Sequence, residues 1–377
     1  MFDLKSKLIT KVKNLKGKRV LLRLDLNVPI NESGEIEDSF RLESIIPTIQ
    51  YLVDKKAKVI IIGHLGSDGK QSLSPVVTYL GKYFQTAFFP DLDNLFHIED
   101  LKDGEVGIIE NIRRADGEMA NSLKIAKELA SLADIYVNEA FSVSHRSHSS
   151  IVGITKYLPS YIGPLFFKEY ENLIKVFTPE HPFLVILGGV KFQTKIPLLN
   201  RFIQTADNVF MGGALANSFY KKMGYEIGKS LVDTGLPNLT KFLQAKNFSL
   251  PIDVVTESGD NVFVRQLEGV KTKEIIVDVG PDTVEKLKKQ ITEAKFILWN
   301  GPLGNFEKNF NRGTMEIATS IADSQAFSVV GGGETLIAIS NLGLTKKFGF
   351  VSTAGGAMLS FLANGTLPGI EAIKNSK

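Results

Sequence analysis

The stretch Arg23-Leu24-Asp25-Leu26-Asn27-Val28-Pro29 follows the apolar run Val20-Leu21-Leu22, and its reading decides the fold. Side chains of a strand alternate between faces, so Arg23, Asp25 and Asn27 line one side and Leu22, Leu24, Leu26 and Val28 the other. Three polar groups in register have no reason to sit within a hydrophobic sheet unless they meet a ligand at its edge. Comparable short apolar runs ending in polar residues recur at 58–66, 105–113 and 134–142. Further on, the runs at 183–189, 208–213, 295–302, 327–333 and 348–356 end in glycines instead, apart from the proline that closes 295–302. Amphipathic segments separate them, such as 122–132 with apolar positions 123, 125, 126, 129 and 132. Strands alternating with helices imply an α/β chain of parallel, doubly wound sheets covered on both faces.

At 377 residues the chain exceeds what one core usually organises. The change from polar to glycine strand ends divides it in two. The expectation is a pair of mainly parallel-sheet, three-layer domains, with 1–165 the first, a joining helix at 166–178 and 179–360 the second. The break falls near Thr178–Pro182.

A net charge of +3 is too small to argue for nucleic acid or a membrane surface. The absence of Cys excludes disulfides, thiolate metal sites and a Cys nucleophile, and fits a reducing compartment. No apolar run approaches the roughly 20 residues that span a bilayer. A soluble, cytoplasmic protein is expected.

Ligands of open parallel sheets bind at the carboxyl ends of the strands. Arg23, Arg113 and Arg146 sit on or just after strand ends, Arg41 opens a helix, His64 ends a strand, and His145 and His148 flank Arg146. Several guanidinium forks on one edge fit a small anion with more than one acidic group. His145-x-x-His148 lacks an adjacent acid and reads as part of that basic patch, not as a metal pair. In the second half, Gly188-Gly189, Gly212-Gly213, Asn300-Gly301-Pro302, Gly331-Gly332-Gly333-Glu334-Thr335 and Gly355-Gly356 lie between strand and helix. There, backbone amides can approach phosphate oxygens at positive helix N-termini. Lys191 and Lys195, four apart, can add charge from one helix face. Gly224 to Ser230 imitates a P-loop but has three residues between its glycines where four are needed, and it follows a helix. No dinucleotide fingerprint is present, which disfavours a dehydrogenase. The residues describe a kinase for a small acidic substrate.

Lys18 to Pro29 closely resembles the signature of the phosphoglycerate kinases. FRLESIIPTI, GHLG, IIENIR, YVNEAFSVSHRSHSS, ILGGVKFQTKI, MGGALANSF, VDVGPDT, WNGPLGNFE, VVGGGET and STAGGA continue the likeness in order. The resemblance implies phosphoryl transfer between 1,3-bisphosphoglycerate with MgADP and 3-phosphoglycerate with MgATP, with hinge closure of two lobes. It implies that Asp25, Asn27, Arg41, His64, Arg113 and Arg146 bind phosphoglycerate. It likewise assigns Gly189, Gly213, Lys195, Asn300, Pro302, Glu307, Gly332, Gly333, Glu334 and Thr335 to the nucleotide, with Glu334 also meeting Mg²⁺. Arg41, Lys191, Lys195, Gly333 and Gly356 are then the groups at the transferring phosphoryl, and 361–377 folds back on the first domain.

Several positions depart from the pattern. Ser67 stands where an Arg is usual, Glu139 and Ser142 alter the Asn-Asp-Ala-Phe-Gly block, and GGVKFQTK replaces GGAKVSDK. Glu334 replaces an Asp, Ala354 a Gly, and Asn305 an apolar residue near the adenine pocket. These changes bear on affinity and nucleotide choice. The alternative is a non-catalytic or altered-specificity relative on the same fold. Arg23, on the ligand-side face but a full turn of pleat deeper than Asn27, is expected to orient Asp25 or a nearby carboxylate.

Overall fold

The computed structural model describes residues 3–92, 96–233 and 238–376. They form two compact units, 1–171 with 364–377 and 172–363. The first holds six parallel strands: β1 (Arg19–Arg23), β2 (Lys58–Ile62), β3 (Thr86–Phe89), β4 (Val106–Ile109), β5 (Ile135–Asn138) and β6 (Ser160–Ile162). Their order is β3-β4-β2-β1-β5-β6. From β1 the chain winds one way to β2, and it later returns to place β5 on the other side. The loops after β1 and β5 therefore part, leaving a crevice at their carboxyl ends. Helices α1 (Phe40–Asp54), α2 (Ser74–Leu80) and α3 (Leu123–Ser131) cover the sheet.

Strand β1 ends at Arg23, short of the expected Asn27. The Leu24 amide still donates to Ile62 O at 3.0 Å, and the chain then leaves the sheet through a tight turn in which Val28 N donates to Leu26 O at 3.0 Å. Alternation survives the end of the ladder because burial enforces it. Leu22, Leu24, Leu26 and Val28 join Leu42, Ile45 and Ile49 of α1 in one core, while Asp25 is half-buried and Asn27 exposed.

The helical run expected at 166–178 comprises α4 (Pro164–Leu173) and a 3₁₀ turn at Ile174–Phe177. Residues 171 and 172, where the units divide, lie within α4.

The second unit contains β7 (Phe183–Leu187), β8 (Asn208–Met211), β9 (Phe248–Ser249), β10 (Asp253–Ser258), β11 (Asn261–Gln266), β12 (Ile275–Val279), β13 (Phe296–Asn300), β14 (Phe327–Gly331) and β15 (Phe350–Ser352). A parallel sheet runs β15-β14-β13-β7-β8-β9, and its winding reverses between β7 and β13. A second, antiparallel sheet, β11-β10-β12, escaped the sequence reading. Helices α5 (Phe192–Phe202), α6 (Ala214–Met223), α7 (Thr240–Leu243), α8 (Pro281–Glu293), α9 (Arg312–Asp323), α10 (Gly333–Asn341) and α11 (Gly356–Asn364) complete the unit.

The P-loop imitation at 224–230 is local packing. Gly224 ends α6 with φ of 89°, and a Cβ on Gly228 would lie 2.0 Å from Glu274 O. The last helix, α12 (Pro368–Lys374), belongs to the first unit, where the Gly369 amide donates to Ser144 O at 2.9 Å. No helix among the described residues is long and apolar enough to cross a membrane.

Candidate active site

In the first unit the polar row opens onto a cavity of about 520 Å³ lined by Asn27, Asp38, Arg41 and Gln71, among others. Arg41, in the first turn of α1, donates through Nη1 to Asp25 Oδ2 and to Asn27 O, both at 3.0 Å. Asp25 also accepts from Ser142 Oγ at 2.5 Å, which ties the loop after β1 to the loop after β5. Asn27 Oδ1 accepts from the Gly66 amide at 2.9 Å.

The loop at 65–71 is clamped through its carbonyls. Asn111 Nδ2 donates to Leu65 O at 2.7 Å and Gln71 O at 2.8 Å, Arg113 Nη1 to Gly66 O at 2.5 Å, and Arg114 Nε to Gly69 O at 3.1 Å. Buried Glu110 supports the same loop, accepting from Leu73 N at 2.7 Å and pairing with Arg114 at 3.0 Å. Asn111 and Glu110 were missed from sequence because they read as the continuation of strand β4. The signal was available: two polar residues following four apolar ones at a strand end. Ser67 is exposed on this clamped loop.

Arg113 and Arg146 make no ion pair among the described residues. Arg113 donates to a carbonyl and leaves its Nε buried without a partner, and Arg146 touches only the ring of His145 at 3.4 Å. Guanidinium groups held together without carboxylates form a site prepared for an anion. His64 lies among them, and burial together with Arg23, Arg113, Arg146 and His148 drives its imidazole down to about 2.

Arg23 does not orient Asp25. It is 1% exposed, and its side chain turns beneath the row, where it donates to Ser150 Oγ at 3.1 Å, to Leu24 O and to His64 Nδ1 at 3.2 Å. A carboxylate is present one step away, since Ser150 Oγ donates to Glu118 at 2.5 Å. The face and the depth were legible; the partner was not.

In the second unit, loops at the reversal point meet backbone to backbone. The Gly188 amide donates to Asn300 O at 2.9 Å and the Gly189 amide to Pro302 O at 2.8 Å. A Cβ on Gly301 would lie 2.3 Å from Gly188 O, and one on Gly213 would lie 2.7 Å from Gly189 N. These glycines serve close approach, as the sequence implied, but partly to one another. Gly332 caps α10 at φ 110°, and space is open where a Cβ would project from Gly333 or Gly355. The N-termini of α10 and α11 thus present accessible amides.

Lys191 and Lys195 do not act as an equivalent pair. Lys191 is exposed at the N-cap of α5, whereas Lys195 is 6% exposed and donates through Nζ to Asn300 Oδ1. Desolvation lowers its ammonium to about 8. Glu334 lies half-buried in the first turn of α10, the Thr335 hydroxyl accepts from the Gly301 amide at 3.2 Å, and Glu307 is exposed in a 3₁₀ turn capped by Asn305.

The phosphoglycerate kinase family model matches residues 9–365. The chain belongs to the phosphoglycerate kinase family. A phosphoglycerate kinase from Thermosipho africanus is 40% identical over 393 aligned positions, covering 97% of each chain. The structure of phosphoglycerate kinase from Coxiella burnetii superposes with a TM-score of 0.86 at 35% identity, covering 98% of this chain and 99% of that one. Phosphoglycerate kinase from Pyrococcus horikoshii gives 0.84 at 30% identity, covering 99% and 98%. A phosphoglycerate kinase is a phosphotransferase with a carboxyl acceptor, which matches two arginines without ion-pair partners, Arg113 and Arg146, in one unit and open helix N-termini in the other.

Proposed function

We propose that the chain interconverts 1,3-bisphosphoglycerate with MgADP and 3-phosphoglycerate with MgATP, acting as a monomer in the cytoplasm. The observation that carries the substrate half of this reading is the grouping of Arg113 and Arg146, neither in an ion pair among the described residues, beside His64. In the proposal Asp25 and Asn27 accept from or donate to the substrate hydroxyl and carboxylate, and the arginines meet its phosphate. Gly189, Gly213, Asn300, Pro302 and Glu307 hold the nucleoside side, while Lys195 and the amides from Gly332 to Thr335 meet its phosphates.

The acceptor is a carboxylate already ionised at neutral pH, so no general base is needed. The protein's task is to position the reactants and to neutralise charge on the moving phosphoryl group. Arg41, Lys191, Lys195 and the amides of Gly333 and Gly356 take that role, which requires both units to reach the same phosphoryl group.

Mg²⁺ accompanies the nucleotide in this reading. Among the described residues no cluster of three His, Asp or Glu could hold an ion alone. A single carboxylate, Glu334, beside phosphates is a donor set that suits magnesium, which would supply further charge neutralisation. Purified protein given 3-phosphoglycerate and MgATP should form an acyl phosphate that hydroxylamine traps. No product with either ATP or GTP would overturn the proposal.

A further inference from the structure

Buried Arg23 places all its hydrogen bonds on neutral acceptors: Ser150 Oγ, Leu24 O and His64 Nδ1. A guanidinium carries only donors, so the ring nitrogen 3.2 Å from Nη2 must present its lone pair. The remaining nitrogen, Nε2, then carries the proton, while the one ring hydrogen bond found among the described residues is at Nδ1. We infer that Arg23 is a positioning residue that fixes His64 as a neutral Nε2–H donor to an uncharged or carboxylate oxygen of the substrate. The inference rests on the proposed phosphoglycerate site for the identity of that acceptor, but the proton assignment stands without it.

A second proton on His64 would break the bond to Arg23 and place two donors face to face. The groups around the ring reinforce this. Arg23 reaches it from β1, Arg113 from the turn after β4, and Arg146 and His148 from the loop after β5. The Glu118 carboxylate behind Arg23 is engaged by Ser150 through both its hydroxyl and its amide, with His148 Nδ1 at 3.8 Å. Among arginines that bind by charge, His64 therefore contributes direction without adding charge. Its contribution to substrate affinity does not change across the pH range in which an ordinary histidine titrates.

The assignment is read directly by long-range proton–nitrogen NMR on protein labelled with ¹⁵N at histidine, with the His64 signals identified by their loss in His64→Gln. The expected result is one protonated Nε2 and one lone-pair Nδ1, unchanged between about pH 5.5 and 8.5. A proton on Nδ1, or a titration within that range, would overturn the inference. Arg23→Lys supplies a readout that a purely structural role would not move. It should raise the KM for 3-phosphoglycerate about tenfold and make it pH-dependent, with the KM for MgATP unchanged. Equal loss for both substrates would count against a positioning role. A Nε2–H ring in protein that does not bind 3-phosphoglycerate would leave the assignment standing and remove the substrate reading.

Discussion

At the scale of single residues, two side chains carry the sharpest expectations. Arg41 is half-exposed yet held at 3.0 Å by Asp25 and by Asn27 O, so its fork is aimed before substrate arrives. Arg41→Ala should nearly abolish turnover, as loss of a preorganised charged donor costs about a hundredfold or more, while leaving MgADP affinity within about twofold. A mild rate loss would remove the role assigned to it. Lys195 is desolvated, with an ammonium that gives up its proton near pH 8. Nucleotide phosphate favours the protonated form, so affinity is full below that pH and falls as pH rises through it. Calorimetric titration of MgADP from about pH 7 to 9.5 should show the fall, and Lys195→Met should be both weaker and flat. A wild-type profile as flat as the variant's would contradict the assignment.

At the scale of elements, Glu139 joins three of them. From the end of β5 its carboxyl accepts from Thr48 Oγ1 on α1 and from the amides of Leu165 at 3.0 Å and Phe166 at 2.9 Å, which open α4. Gly163 makes the room, because a Cβ there would lie 2.1 Å from the carboxylate. Burial nevertheless pushes the acid up to about 7. The native form therefore holds its proton more tightly than the unfolded chain does. The associated stability is complete below the ordinary carboxylate range, near 4.5, and is lost as pH rises through about 7. Denaturant titrations should find Glu139→Gln gaining on the parent by about 2–3 kcal/mol between about pH 5 and 8. A gap independent of pH would refute this.

The sequence made most strands of the large sheets legible where apolar runs ended in polar residues or glycine, since burial on both faces leaves that signature, but it missed the edge strands β3, β6 and β9. It hid β10 and β11; in β11 Val262 and Val264 alternate on an exposed antiparallel edge without such an ending. Residue types at the site were likewise legible, but pairings such as Arg23 with His64, or Lys195 with Asn300, join strands distant in sequence and depend on depth within the fold.

At the scale of the whole molecule, each unit carries a partial chemistry. The first gathers Arg113 and Arg146, which make no ion pair among the described residues, beside an Arg41 aimed by Asp25, and the second gathers helix N-termini with a desolvated lysine. Family membership over residues 9–365 explains why both are present in one chain. The central claim is that the two sets bind different ligands and serve one transfer. Equilibrium binding of 3-phosphoglycerate and of MgADP to Arg113→Met and Lys195→Met tests it most directly. The account predicts a crossed pattern, each variant losing about tenfold or more for one ligand and keeping the other within about twofold. Loss of both ligands by either variant, or of neither, would contradict it.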